Sequence, residues 1–138
     1  MGFKHWLLLR QLLTVSRHLA KKSLGQNTGV EHVGQVQQQI LALLHGFQRK
    51  LETMKNARSI RGILLPVTLF LDEWLLKQYF QHRPQDWPLL QSQLFQVEHG
   101  GALFYATLDQ HLLQDPPPYY LLEVYYFCLK SGFSGMHF

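Results

Sequence analysis

Two adjacent carboxylates, Asp72 and Glu73, sit inside the apolar run Leu69-Phe70-Leu71-Asp72-Glu73-Trp74-Leu75-Leu76. An unpaired charge buried in such a segment is costly, so each carboxylate must reach water or find partners. The pair therefore marks an edge of the core. As the acid and base of a glycosidase it fails, because neighbours on a helix point in divergent directions and no second carboxylate of evident role accompanies them. Two readings remain. The carboxylates are either a solvated flank with salt bridges to Lys77, Arg58 or Arg61, or charges that dock a partner in a groove between helices.

The other reactive side chains carry weaker patterns. Histidines at 5, 18, 32, 45, 82, 99, 111 and 137 include no H-E-x-x-H and no i, i+4 pair, so they do not outline a metal site. Cys128 is the single cysteine, which excludes an intrachain disulfide and an all-cysteine zinc site. Its place on an apolar helical face suits a small buried thiol better than a nucleophile. Gly100-Gly101 has neither the P-loop pattern nor a preceding strand, and reads as a tight turn or a close helix approach. Trp87, Phe95 and Phe104 read as core aromatics. Nothing in these patterns calls for a cofactor or a small-molecule substrate.

The elements that must position these residues are helical throughout. Phe3 to Lys22 places apolar residues at helical spacing, with Gly25 as a stop. Thr28-Gly29-Val30-Glu31 has capping-box spacing and opens a second helix, whose stripe of Ile40, Leu44, Phe47, Leu51 and Met54 suits one or two neighbouring helices. Ser59 to Phe80 forms a third helix, and Pro66 inside it predicts a kink or the helix's true start. At about 100° per residue its apolar face centres near Val67, which puts Asp72 and Glu73 about 140° and 120° to either side. Both carboxylates are thus expected to flank the core, and replacing both with alanine to change stability by no more than about 1 kcal/mol.

His82 to Gln85 is a break, after which Asp86 is expected to cap a short helix beginning at Trp87. Another helix runs from the glycines to Leu113, and Pro116-Pro117-Pro118 separates it from the last. That last helix is expected to bury Leu121, Leu122, Tyr125, Cys128 and Leu129, with Gly132 as its left-handed cap. The fold class is all-α, a bundle of about six helices in a single domain over residues 1–138, with a groove near the helix that carries the acidic pair.

The ordered set DE on a helix (Asp72, Glu73), then Trp87, then GG-x-x-F (Gly100, Gly101, Phe104), then LLE-x-x-x-x-CL-x-x-GF-x-G (Leu122, Glu123, Cys128, Gly132, Phe133, Gly135) resembles the DotU/TssL (IcmH-like) family of type IVB and type VI secretion systems. The resemblance covers about residues 60 to 138, while residues 1 to 58 match by helical character. It implies a non-enzymatic cytoplasmic domain under the bacterial inner membrane. Such a domain pairs with an IcmF/TssM-type membrane protein, contacts baseplate or coupling components, and can form a homodimer. It also implies that Asp72 and Glu73 bind a partner. The family continues past GF-x-G into a C-terminal membrane anchor. This sequence stops at Phe138, so it is expected to be soluble as it stands, either a piece of a longer protein or a short member.

Charge distribution supplies a rival. Residues 1–61 hold ten Lys and Arg against Glu31 and Glu52, a net of +8, whereas residues 62–138 hold three against seven acids, a net of −4. A basic half can face nucleic acid, an anionic leaflet or an acidic partner. The alternative reading is a basic helical nucleic-acid-binding protein, which salt-sensitive retention on DNA or RNA would favour. A small hydrolase is a third, weaker one. The longest uncharged apolar stretch, Gly62 to Leu71, is about half of the roughly 20 residues a membrane span needs. Met1 to Leu13 carries Lys4 and Arg10 with no cleavage site after it, which argues against a signal peptide.

Overall fold

The computed structural model describes residues 2–25, 29–53 and 57–136, without the side chains of 57–59. Among the described residues six α-helices run in order: α1 (Trp6–Leu24), α2 (Val30–Glu52), α3 (Ala57–Tyr79), α4 (Leu90–Phe95), α5 (Gly100–Leu112) and α6 (Tyr119–Lys130). A short 3-10 turn, Pro84–Asp86, lies between α3 and α4. The described residues hold no strand, and the all-α bundle expected from periodicity is what forms. Thr28 of the expected capping box, Met54 of the α2 stripe, the Arg58 side chain and His137 lie outside the described residues.

α1 and α2 pair as an antiparallel hairpin, with His32 Nε2 2.8 Å from the Ser23 carbonyl near the connection and Leu8 beside Phe47 at the far end. Each helix buries one stripe: Leu9, Leu12, Leu13, Ala20 and Leu24 from α1, and Val33, Val36, Ile40, Leu44, Phe47 and Leu51 from α2. This is the amphipathic pattern of a helix with one face in water.

α3 is different in kind. It packs against α1, α2, α4, α5 and α6, and every residue from Ile63 to Glu73 is buried. A helix ringed by neighbours has no solvent flank, so an angle measured from its apolar centre does not separate inside from outside. Asp72 and Glu73 are 0 % and 1 % exposed, which corrects the expectation that they flank the core. The helix also runs through Pro66 without ending there. Proline lacks the N–H that would meet the Gly62 carbonyl, and packing on all sides holds the helix together regardless.

The C-terminal helices close over α3. α6 buries Leu121, Val124, Tyr125 and Cys128 against it, and Gly62 lets the Leu121 methyls approach where an added Cβ would sit 3.0 Å from them. Leu122 and Leu129 are half-buried rather than central to that face, because Val124 takes the inward position. Gly132, at φ +108°, ends the helix in the left-handed region, and the Phe133 N–H returns to the Cys128 carbonyl at 3.0 Å.

Candidate functional site

Asp72 is the terminus of four hydrogen bonds. Its Oδ1 accepts from Trp87 Nε1 at 2.9 Å and from the Leu90 N–H at 2.8 Å. Its Oδ2 accepts from the Gln91 N–H at 2.9 Å and from Gln91 Nε2 at 3.0 Å. Leu90 and Gln91 are the first residues of α4, whose own N-cap, Leu89, has no side chain able to cap. The first N–H groups of a helix lack internal partners and attract negative charge. A carboxylate from α3 therefore caps α4 across the core, a role the sequence had assigned to Asp86. Asp86 instead pairs with Arg83 at 3.0 Å on the surface.

Burial pushes the Asp72 carboxyl up to about 6, against the four hydrogen bonds, which favour the anion. The cost of desolvation outweighs the donors in that balance. At neutral pH the group remains a carboxylate.

Glu73 points to another side of α3 and holds the chain's C-terminal loop. Ser134 Oγ donates to Oε1 at 2.6 Å, the Ser134 N–H reaches Oε2 at 3.0 Å, and the Gly135 N–H reaches Oε1 at 3.1 Å. Successive N–H groups turned toward one anion form a small nest, made possible here by Gly135 at φ +80°. Lys77, one turn along α3, lies 3.8 Å from Glu73 and donates to the Gly132 carbonyl at 2.7 Å. It ties the end of α6 to the same carboxylate. Of the cations considered from the sequence, Lys77 pairs with Glu73, Arg61 lies over the Phe95 ring at 4.9 Å, and the Arg58 side chain lies outside the described residues. That leaves Phe95 half-buried rather than in the core.

The remaining motif residues converge on these two attachments. Trp87, 2 % exposed, packs on Phe80 with ring centroids 5.6 Å apart while its indole N–H reaches Asp72. Gly101 brings α5 into backbone contact with the loop, since an added Cβ would collide with the Gly135 carbonyl oxygen. At Gly100 the added Cβ would collide with Leu69 and Gln91. Phe104 is fully buried, stacks on Phe133 at 4.1 Å and meets Tyr125 at 4.8 Å. Tyr105 Oη donates to the Ser134 carbonyl at 3.0 Å. Cys128 is fully buried, its thiol 3.7 Å from the Pro66 carbonyl and its pKa pushed upward by burial. Leu122 and Glu123 are half-buried and stand apart from this assembly, with the Glu123 carboxylate beside Gly2.

The sequence reading missed Gln91 and Ser134, both ligands of the acidic pair. Ser134 had a signal, since a serine beside Gly135 and just past Gly132 favours a turn with convergent N–H groups. Gln91 had none, because its role depends on how α4 docks. Among the described residues no group of three His, Cys, Asp or Glu is placed to hold a metal ion. With Asp72 taken up by four donors and Glu73 by the loop and Lys77, the pair works as a double clasp. It fixes α4 through Asp72 and the C-terminal loop through Glu73.

The family model described as "Type VI secretion system protein DotU" matches residues 8–137, nearly the whole chain and therefore the basic hairpin as well as the motif-bearing part. The chain belongs to the DotU family. Comparison with curated proteins gives no match, and comparison with solved structures gives none either. The DE, W, GG-x-x-F and GF-x-G pieces of this DotU chain are thus one structural assembly, in which the carboxylates supply the charge and the aromatics the packing. Membership makes it a component of a type VI secretion system. No helix among the described residues is long and apolar enough to cross a membrane.

Proposed function

We propose that this DotU-family chain is a non-catalytic docking module of the type VI secretion machine. Its partners would be an IcmF/TssM-type inner-membrane protein and baseplate or coupling components, with the module at the cytoplasmic face of the inner membrane. The observation that carries the reading is the double clasp. Two buried carboxylates hold two surface segments, the stretch from Pro84 to Gln91 and the loop from Phe133 to Gly135, in fixed register on one helix.

Preorganised surfaces lose little entropy when they bind. The segment held by Asp72 also forms a depression of about 560 Å³ lined by Leu76, Pro84, Trp87, Leu89, Glu98 and His99. The depression lies beside Trp87, with the Asp72 carboxylate on the buried end of that indole. Asp72 and Glu73 serve partner binding as positioning residues, by shaping what the partner meets.

The test is co-expression with an IcmF/TssM-type membrane protein of the same secretion system, followed by affinity capture. Parent protein is expected to retain the partner. Asp72→Asn and Glu73→Gln are expected to lose capture, while Glu98→Lys in the lining of the depression weakens it with the melting temperature unchanged. Capture by all three variants at the parent level would contradict the reading, as would retention on nucleic acid at physiological salt in place of the membrane protein.

A further inference from the structure

Along α1, Trp6, Arg10, Leu13 and Arg17 recur at steps of four and three and so share one face. With Leu9 and Thr14 they line a groove of about 380 Å³ whose other wall is Phe127 of α6. The Trp6 and Phe127 rings meet at 5.6 Å at one end. The Arg17 guanidinium carbon lies 5.7 Å from the Phe70 ring and 5.6 Å from the Trp74 ring. Its Nε is buried with no hydrogen-bond partner among the described residues.

The ion pairs among the described residues are Lys77 with Glu73 and Arg83 with Asp86, so neither Arg10 nor Arg17 meets an acid. A half-buried guanidinium held against aromatic faces, with its Nε shielded from water, keeps an unmet demand for oxygen acceptors. The surrounding half of the chain adds to it, with a net charge of +8 over residues 1–61.

We propose that this groove between α1 and α6 is the docking site for an acidic amphipathic helix of a partner protein, whose carboxylates pair with Arg10 and Arg17. The two arginines are separated by seven residues along α1, about 10.5 Å at 1.5 Å per residue. The complementary helix therefore carries two acids seven residues apart on one face, with aliphatic residues between them to cover the half-buried Trp6 and Phe127. A free phosphate would satisfy the guanidinium groups and leave those apolar walls wet. The groove shares no lining residue with the depression over Trp87, and the proposal does not depend on the docking reading given for that surface.

The experiment is fluorescence anisotropy at low and high salt with a labelled leucine-rich helical peptide about four turns long. It carries glutamates at i and i+7 on its leucine face, and an isomer carries the same glutamates on the opposite face. Parent protein is expected to bind the first peptide saturably and the isomer at least about tenfold more weakly. Arg10→Gln and Arg17→Lys are expected to weaken binding by about tenfold, the lysine keeping charge but losing the planar fork. The exposed pair Lys21→Gln with Lys22→Gln should leave it nearly unchanged. Arg10 is exposed, so that variant tests the groove even if Arg17→Lys lowers the melting temperature. Absence of saturable binding, equal binding of the isomer, or an equal loss on replacing Lys21 and Lys22 with glutamine would overturn the proposal. So would a self-dimer that buries Trp6, or capture by phosphatidylserine vesicles that the peptide cannot displace.

Discussion

Each oxygen of Asp72 accepts from two donors, so an amide in its place turns an acceptor into a donor at one of those positions. Asp72→Asn should lower stability by about 2 to 3 kcal/mol at pH 7 by stranding buried N–H groups. Removing both carboxylates with alanine should cost about 3 to 5 kcal/mol, well beyond the 1 kcal/mol expected of an exposed pair. Chemical denaturation reads both values. Titration adds a signed expectation. Because burial raises the Asp72 pKa to about 6 from 3.8, the folded protein binds a proton between those values that the unfolded chain does not. This group's contribution is fully present below about pH 4 and is lost as pH rises through about 6, at up to about 1.4 kcal/mol per pH unit. The parent's advantage over Asp72→Asn should therefore be larger at pH 4 than at pH 7, and the carboxyl carbon should titrate with a midpoint near 6 by NMR.

At the scale of elements, α4 is six residues long and could not persist alone. It exists because α3 caps it and Leu90 and Gln91 are buried against the core. The approach of α5 to the C-terminal loop depends on Gly101. Gly101→Ala must push the Gly135 backbone away, so a loss of about 1 to 3 kcal/mol is expected, with a Ser134 hydroxyl that no longer reaches Glu73. A thermal melt with a crystal structure of the variant checks this.

Much of this layer was legible in the sequence. The stripes of α1 and α2, the break after Phe80, the proline run before α6 and the left-handed Gly132 all follow from local periodicity and backbone preference. What was not legible depends on neighbours far along the chain. An amphipathic reading of α3 assumes water on one side, and α3 has none from Ile63 to Glu73. Capping of α4 by a carboxylate eighteen residues upstream has no local signature, whereas Asp86 offered a plausible local one. The family motif drew Asp72, Glu73, Trp87 and Gly135 together in sequence, and the geometry shows Asp72 accepting from Trp87 and Glu73 accepting from Gly135.

On the scale of the whole molecule, a basic α1–α2 hairpin packs against a clasped unit of α3 to α6. Asp72 and Glu73 act as two separate clasps, each holding its own segment. Amide hydrogen exchange by NMR on the parent, Asp72→Asn and Glu73→Gln tests this most directly. Parent amides of Leu90, Gln91, Ser134 and Gly135 should all be protected. Asp72→Asn should speed exchange at Leu90 and Gln91 while Ser134 and Gly135 stay slow, and Glu73→Gln should do the reverse. Exchange rates at these four amides that match the parent in both variants would contradict the account.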